Sequence, residues 1–489
     1  MEKIITGGTL VTESEIFEAD LFIRDEKIAA IGKNFPGSET AEIIDAAGKL
    51  VLPGGVDPHV HLNLPMPGTV SSDDHYTGTK AAAFGGTTTV IDFANHDLLS
   101  LVDSFHAWQE NALPNVAVDY GIHQNFTRFN QKTLSEIAQL PELGVTSVKM
   151  FTAYNGRMRL QDGEIFQVMR EAKDLGVLSL IHAENGDLIE LLVAEALKAG
   201  HTEPVWHART RPAWGAVESV LRVCALAYSA GKAPVYIVHM NVAEEADQLY
   251  YMRERGLPVF GETCPQYLLF TEKDLERPDG AKWICSPPMR SEKDNQGLWN
   301  ALADGTIEVV STDHCPFLCD GTKPLIYEGA PYQQPGKELG KDDFSKIPNG
   351  LPGVGDRMPV LWTKGVVEGR ISPTQFVQVM CSNPAKIFGM YPQKGSLIPG
   401  ADADVVLWDP RKKVRYGAGI SQHRTDYNLY EGLELTGFPE KVFLRGKLIV
   451  DGTKWLGKRG GGRFIKRWLP PPVSSGCSTI SGEMSVYPG

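Results

Sequence analysis

Long apolar runs are missing from this sequence. No stretch of eighteen or more apolar residues occurs, so nothing reads as a membrane-spanning helix. The N-terminus, MEKIITGGTLVT, lacks a basic region followed by an apolar core, and no signal peptide is expected. Positive charge is scarce. The 48 Lys and Arg against 60 Asp and Glu leave a net charge of −12, which argues against a polyanionic partner such as nucleic acid. Cysteine is sparse too. The seven (Cys224, Cys264, Cys285, Cys315, Cys319, Cys381 and Cys477) are odd in number and show no recurring paired spacing. A disulfide framework is therefore not expected, and a reducing cytoplasm is. Cys315 and Cys319 could in principle chelate a metal, but without a second pair they read better as loop thiols.

What is present suggests one large barrel-type domain and a smaller one. The chain has 489 residues, too many for a single small domain. Its first fifty residues alternate apolar and polar positions between glycine turns, as in KIITGGTLVT and ADLFIRDEKIAAIG. The same pattern returns in KGSLIPGADADVVLWDP and KVFLRGKLIVDG. We therefore expect a small β-sandwich built from both ends, residues 1–53 and 390–459. Residues 460–489 are Pro- and Ser-rich at their end and read as an extended tail, suited to be an arm on a neighbouring subunit.

Residues 54–389 alternate short apolar strands with helix-like segments. Strands are expected at 55–62, 87–94, 116–124, 146–151, 177–184, 233–240, 258–264 and 307–314. Helical stretches such as EIFQVMREAKDLG and EEADQLYYMRERG end in glycine, as helices often do. Eight such units fit a (β/α)8 barrel, an α/β fold of about 250 residues. A doubly wound open sheet would want a glycine-rich phosphate turn after the first strand, and none follows GVDPHVHL.

Polar residues recur at the C-terminal ends of these strands. His59 and His61 share one face of the first, Lys149 sits in the fourth, and His182, His239 and Asp313 end the fifth, sixth and eighth. In a barrel that end is where active sites are built. Singly, each has a bland reading as a packed histidine or a helix cap. Together they are a costly set of buried polar groups unless something uses them. Neutral imidazoles plus a carboxylate suit Zn2+ or a similar divalent ion. Lys149, among apolar neighbours in TSVKMFTAY, should have a lowered pKa. Its neutral amine could add CO2 to give a carbamate able to hold two metal ions; a salt bridge to Asp313 or another acid is the structural alternative. His123 on the third strand matches no role and reads as core.

PGGVDPHVHL, VKMFTAY, LIHAEN, VHM, ETCPQYL, CSPPMR, STDHCPF, IPNGLPGV and NPAKIFGM, in this order, resemble the cyclic amidohydrolases, and most the dihydropyrimidinase and D-hydantoinase group. The resemblance runs from residue 3 to residue 466. It implies that His59, His61, Lys149 and Asp313 bind one metal and Lys149, His182 and His239 the other. It further implies that Tyr154 hydrogen-bonds the developing oxyanion, and that Ser286 and Asn349 hold the ring edge through main-chain groups. The implied reaction is hydrolysis of a cyclic amide to an N-carbamoyl amino acid, by a hydroxide bridging two metals, with Asp313 as proton shuttle. A homotetramer or homodimer is implied as well.

Two relatives are weighed on this stretch: the dihydroorotases are argued against, and the allantoinases stay open as the alternative. Dihydroorotases place an arginine two residues after the second histidine, where this chain has Asn63. Allantoinases often have asparagine there but usually continue Glu-Pro-Gly, whereas LPMPG follows here. Leu64 and Met66 suggest a pocket for a less polar ring substituent, so a hydantoinase-like substrate is expected. Non-enzymatic assembly proteins of this fold lack the metal ligands, and here all six positions are filled. The segment LCDGTKPLIYEGAPYQQPGKELGK is longer than this resemblance accounts for and reads as a surface loop able to cover the pocket.

Overall fold

The computed structural model describes residues 2–33, 35, 41–96 and 100–469. Eight parallel strands form one sheet: β1 (Gly55–Val60), β2 (Thr87–Ala94), β3 (Asp119–Asn125), β4 (Ser147–Phe151), β5 (Leu178–His182), β6 (Val235–Ile237), β7 (Val259–Thr263) and β8 (Val309–Val310). Each pairs with its neighbour in chain order. The seam between β8 and β1 closes through single contacts: a bridge between Val60 and His314, the His61 N–H donating to the His314 carbonyl at 2.7 Å, and the Thr312 hydroxyl donating to Asp57 at 2.7 Å. This is the expected (β/α)8 barrel. Its strands are buried on both faces, which is why they read as nearly continuous apolar runs.

β6 and β8 are shorter than the expected 233–240 and 307–314. His239 (φ 40°) and Asp313 (φ 54°) adopt left-handed backbone just beyond them. That conformation breaks a ladder, and it falls at side chains aimed into the pocket.

Helices cover the barrel. The segment Asp162–Asp174 buries Ile165, Val168, Met169 and Ala172, a single stripe at helical spacing. Its start is held by Glu164, which accepts from the Gln161 N–H at 2.8 Å. The second expected helix spans Ala243–Arg253. Among the described residues no helix is long and apolar enough to cross a membrane.

Both chain ends supply two further sheets. One has four strands centred on Glu2–Thr6 and Asp20–Arg24, and the other seven, including Thr9–Val11, Leu50–Pro53, Val405–Arg415 and Glu434–Leu444. Strand alternation divides the larger sheet's side chains between two cores. Leu10, Val51, Val405, Leu407 and Phe443 pack with Ile5, Leu21, Ile23 and Ile44 of the smaller sheet. Val11, Leu52, Val406, Trp408 and Val442 join the core shared with the barrel. The sandwich is thereby fixed to the barrel without a linker.

Two surface readings change. The expected tail is, from residue 460 to Leu469, packed on this chain's own barrel: the Ile465 N–H donates to the Tyr120 carbonyl at 2.8 Å, and Arg467 is buried. Residues 470–489, with Cys477, lie outside the described residues. The long loop contains a hairpin, Leu325–Tyr327 with Ala330–Tyr332. It docks away from the pocket, through a Lys80–Glu328 ion pair, the Tyr327 hydroxyl on the Gln422 carbonyl (3.2 Å), and the Arg424 guanidinium 4.2 Å over the Tyr332 ring. Only the returning segment reaches the pocket, with Leu339 and residues 345–350.

Candidate active site

A pocket of 580 Å³ opens at the C-terminal end of the barrel. Its lining holds every expected site residue: His59, His61, Lys149, His182, His239, Asp313, Tyr154, Ser286, Asn349 and Leu64. The size suits a small ring with one substituent.

The ligand atoms form two groups. His59 Nε2 and His61 Nε2 lie 3.1 and 3.2 Å from the same Asp313 oxygen. Across the pocket, His182 Nδ1 is 2.9 Å from His239 Nε2. One histidine of each group is aimed from outside by a carboxylate. Glu262 on β7 holds His59 Nδ1 and also accepts from the Tyr236 hydroxyl at 2.9 Å. Glu184 holds His182 Nε2 at 2.9 Å. Carboxylates in this position fix the tautomer and orientation of metal-ligating histidines.

The electrostatics agree with a cation site. Burial lowers the pKa of His61 to about 4 and pushes His239 well below its usual value, so both offer lone pairs at neutral pH. Burial also lowers His182 despite the nearby Glu184. His59 goes the other way: burial disfavours its charge, but Glu262 and Asp313 outweigh that. Asp313 is pushed up by burial and pulled further down by His59 and His61, ending well below the carboxylate range. Positive charge is thus favoured between His59 and Asp313, where His59 Nε2 is buried without a hydrogen bond. His59, His61 and Asp313 can hold a metal ion.

Lys149 faces the same space. It is 1% exposed, and its ammonium contacts the rings of Phe93 (4.9 Å) and Phe151 (5.4 Å). Burial pulls its pKa down to about 8. Among the described residues the salt bridge considered as the structural alternative is not formed: the attraction of Lys149 to Asp313 and Glu262 acts through space, without an ion-pair contact.

The comparisons with known proteins bear on this arrangement directly. Residues 50–449 match the family model described as "Amidohydrolase family". The chain belongs to the amidohydrolase family. Within it, the chain is 42% identical to the D-hydantoinase of Geobacillus stearothermophilus over 96% of its own length and 97% of the relative's. Its identity to the D-hydantoinase of Streptomyces coelicolor is 43%, over 95% and 97%. The crystal structure of dihydropyrimidinase from Brevibacillus agri superposes with a TM-score of 0.90 at 42% identity, covering 96% of this chain and 99% of that one. This amidohydrolase therefore sits in the D-hydantoinase and dihydropyrimidinase group, as its motifs implied.

Around the two ligand groups, this amidohydrolase builds a wall for a ring. Tyr154 adopts φ 66°, which turns its side chain into the pocket, and its ring lies 5.1 Å from that of His182. Burial raises its phenol, which stays a donor. Ser286 is buried, with Oγ 3.3 Å from His207 Nε2. Asn349 precedes Gly350, whose N–H donates to the Ile284 carbonyl at 3.1 Å. Lys337 ties these two segments together: its buried ammonium donates to the carbonyls of Ile284 (3.0 Å) and Pro348 (3.1 Å). Leu64 and Met66 flank the mouth with Met158, Leu339 and Ile347.

Sequence reasoning missed Glu262, Glu184 and Lys337. The first two carried a signal, an acid inside VFGETC and one two residues after His182. Lys337 carried none, since KELG reads as an ordinary polar turn. Among the described residues no cysteine joins a metal-capable group, and Cys315 and Cys319 are free thiols.

Proposed function

We propose that this chain hydrolyses the ring amide of hydantoins and dihydropyrimidines to N-carbamoyl amino acids. The observation that carries the reading is the convergence of the His59–His61–Asp313 group and the His182–His239 pair on one pocket that also contains Lys149. His59, His61 and Asp313 would hold one divalent ion, His182 and His239 the other, with zinc expected from the donor set. Bound there, the ions would supply Lewis acidity and a water of lowered pKa.

The chain's own groups do the rest. The neutral Lys149 amine adds CO2, its nitrogen forming the C–N bond as one C=O π bond opens and losing one proton to water, to leave a carbamate that would offer oxygen donors to the ions. Asp313, ionised, accepts the proton of the attacking water at its Oδ and returns it to the ring nitrogen as the C–N bond breaks. Tyr154 donates its hydroxyl to the oxygen of the tetrahedral carbon. Backbone groups at Ser286 and Asn349 hold the ring's edge. Leu64 lines the side where the ring substituent lies.

The same reading divides the chain into the sandwich of residues 1–53 and 390–459, the catalytic barrel of 54–389, and a C-terminal stretch from 460. It expects a homotetramer or homodimer, and a reducing cytoplasm suits the free thiols. Steady-state rates on dihydrouracil, 5-substituted hydantoins and allantoin, before and after metal chelation, test it. Hydrolysis of the first two, abolished by chelation, supports it. Purified protein with near-zero metal and no hydrolysis would favour the assembly-protein reading, and a preference for allantoin would move the substrate.

A further inference from the structure

The floor of the barrel is closed by the C-terminal arm, and one of its residues reaches the level of the site's supports. Arg467 is 2% exposed although, among the described residues, no carboxylate pairs with it. Its guanidinium enters where β3 carries Gly121: a Cβ there would meet Arg467 Cδ and Nε at 3.2 Å. The missing side chain makes the room the arginine fills. One Nη donates to the Ile122 carbonyl and, at 3.1 Å, to Ser147 Oγ on β4.

The contacts continue upward with a fixed polarity. Ser147 Oγ lies 2.5 Å from His123 Nδ1, and His123 Nε2 lies 2.8 Å from the Pro58 carbonyl. A carbonyl only accepts, so His123 carries its proton on Nε2. Nδ1 is then an acceptor, and the Ser147 hydroxyl donates to it. That leaves the serine oxygen free to accept from Arg467. Pro58 directly precedes the ligand His59. The His123 ring also packs on Phe93 (4.7 Å between centroids), and the Phe93 ring packs on both His59 and His61 (4.7 Å each). Lys149 lies 4.9 Å over that same ring.

We infer that Arg467 is a positioning residue for the metal-holding strands, acting through Ser147 and His123 on Pro58 and Phe93. The histidine that matched no role in the sequence is the link between the arm and the site. The arrangement is costly, which is why a purely structural reading explains it poorly. Two of the guanidinium nitrogens, Nε and Nη1, are buried without partners, and burial pushes the group's pKa down to about 9. A methionine of similar stem length would close the floor without a buried charge. What the arginine supplies and a methionine does not is a donor to the Ser147 oxygen.

The inference rests on the reading that His59, His61 and Lys149 hold metal ions, and the test separates the two. Full-length wild type, Arg467→Met, Arg467→Lys, Ser147→Ala and the Arg467→Met/Ser147→Ala pair are compared for kcat, KM, zinc per chain after dialysis, and Tm of the metal-free protein. Arg467→Met is expected to lower kcat about 10-fold or more with little change in KM, since small displacements of reacting groups carry such costs. It should lose zinc faster while the metal-free Tm does not fall. Ser147→Ala should do the same, the pair should be no worse than either single change, and Arg467→Lys should recover part of the loss. Zinc retention and kcat within about twofold of wild type for Arg467→Met would overturn the inference. So would losses that simply add in the pair. If Arg467→Met does not fold, Ser147→Ala leaves the arm intact and decides alone: unchanged kcat and zinc retention overturn the inference. Wild type that holds no zinc and hydrolyses nothing would instead remove the functional reading.

Discussion

Two lysines lie buried at opposite ends of this barrel, and their surroundings differ completely. Lys394, at the floor, is enclosed by Asp119, Asp402 (2.9 Å) and Asp404 (2.9 Å). Those carboxylates outweigh its burial and raise its pKa. Lys149, at the mouth, lies over the rings of Phe93 and Phe151 with no ion pair among the described residues, and burial lowers it to about 8. Each is 1% exposed, so burial alone does not distinguish them. The partners do. A buried lysine among acids is a bolt, joining the residues just before the sandwich strand Val405–Arg415 to the start of β3. A buried lysine without acids keeps a reactive amine, and it stands among histidines.

The comparison can be broken most sharply at Lys149. Lys149→Ala should cost more than the roughly 10–100-fold that outer partners of a metal site are worth, with metal content falling in parallel. Short carboxylic acids in the buffer should restore part of the rate, because they replace a carboxylate-like group. Two metals per chain and normal turnover in this variant would end the contrast.

The counterpart at the floor should fail differently. In Lys394→Met, Asp119 keeps Arg445 and Asp402 keeps Lys27, but Asp404 loses its cation and is left with hydrogen bonds from Thr88 and the Arg445 N–H; breaking a buried pair typically costs about 3–5 kcal/mol. Denaturant unfolding should show that loss, while kcat/KM of the folded fraction stays near wild type. A kinetic defect without a stability defect would place chemistry at both ends.

Asp313→Asn sharpens the distinction within the mouth itself. The amide oxygen can still face a metal but cannot carry a proton. Metal content should stay near normal and kcat fall by about 100-fold or more. Equal losses of metal and rate would make Asp313 chiefly a ligand.

The smallest effect is expected at the rim. Leu64→Ala should shift the ratio of kcat/KM between bulky 5-substituted hydantoins and dihydrouracil by about 1–3 kcal/mol, with metal content unchanged. If both rates fall together at a fixed ratio, Leu64 is packing and the substituent is gated elsewhere.

The mouth is more legible in the sequence than the floor, for a physical reason. Strand alternation turns a polar residue in an apolar run into a statement about direction, so the pattern alone aims His59, His61, Lys149 and His182. His239 and Asp313 follow from the same rule, though their left-handed backbone ends the strands early. The two-ended sandwich is legible because both ends alternate. What stays hidden depends on contacts between segments far apart in the chain. Lys337 reaches Ile284 and Pro348 from a turn with no pattern, and Arg467 fills a space left by Gly121, 346 positions earlier in the sequence. Asp119, Asp402 and Asp404 each read as ordinary strand-end acids until Lys394 brings them together.

Lys149, which forms no ion pair among the described residues, is proposed to work as a carbamate. The most direct test of that role is metal loading of the apoprotein with Zn2+ in CO2-free buffer and in buffer containing 13C-bicarbonate. Zinc per chain is counted in both, and the carbamate carbon is sought by 13C NMR. A carbamate signal and two zinc ions per chain are expected only when bicarbonate is present, with Lys149→Ala giving neither. Full loading and activity without CO2, and no carbamate carbon with it, would contradict the claim.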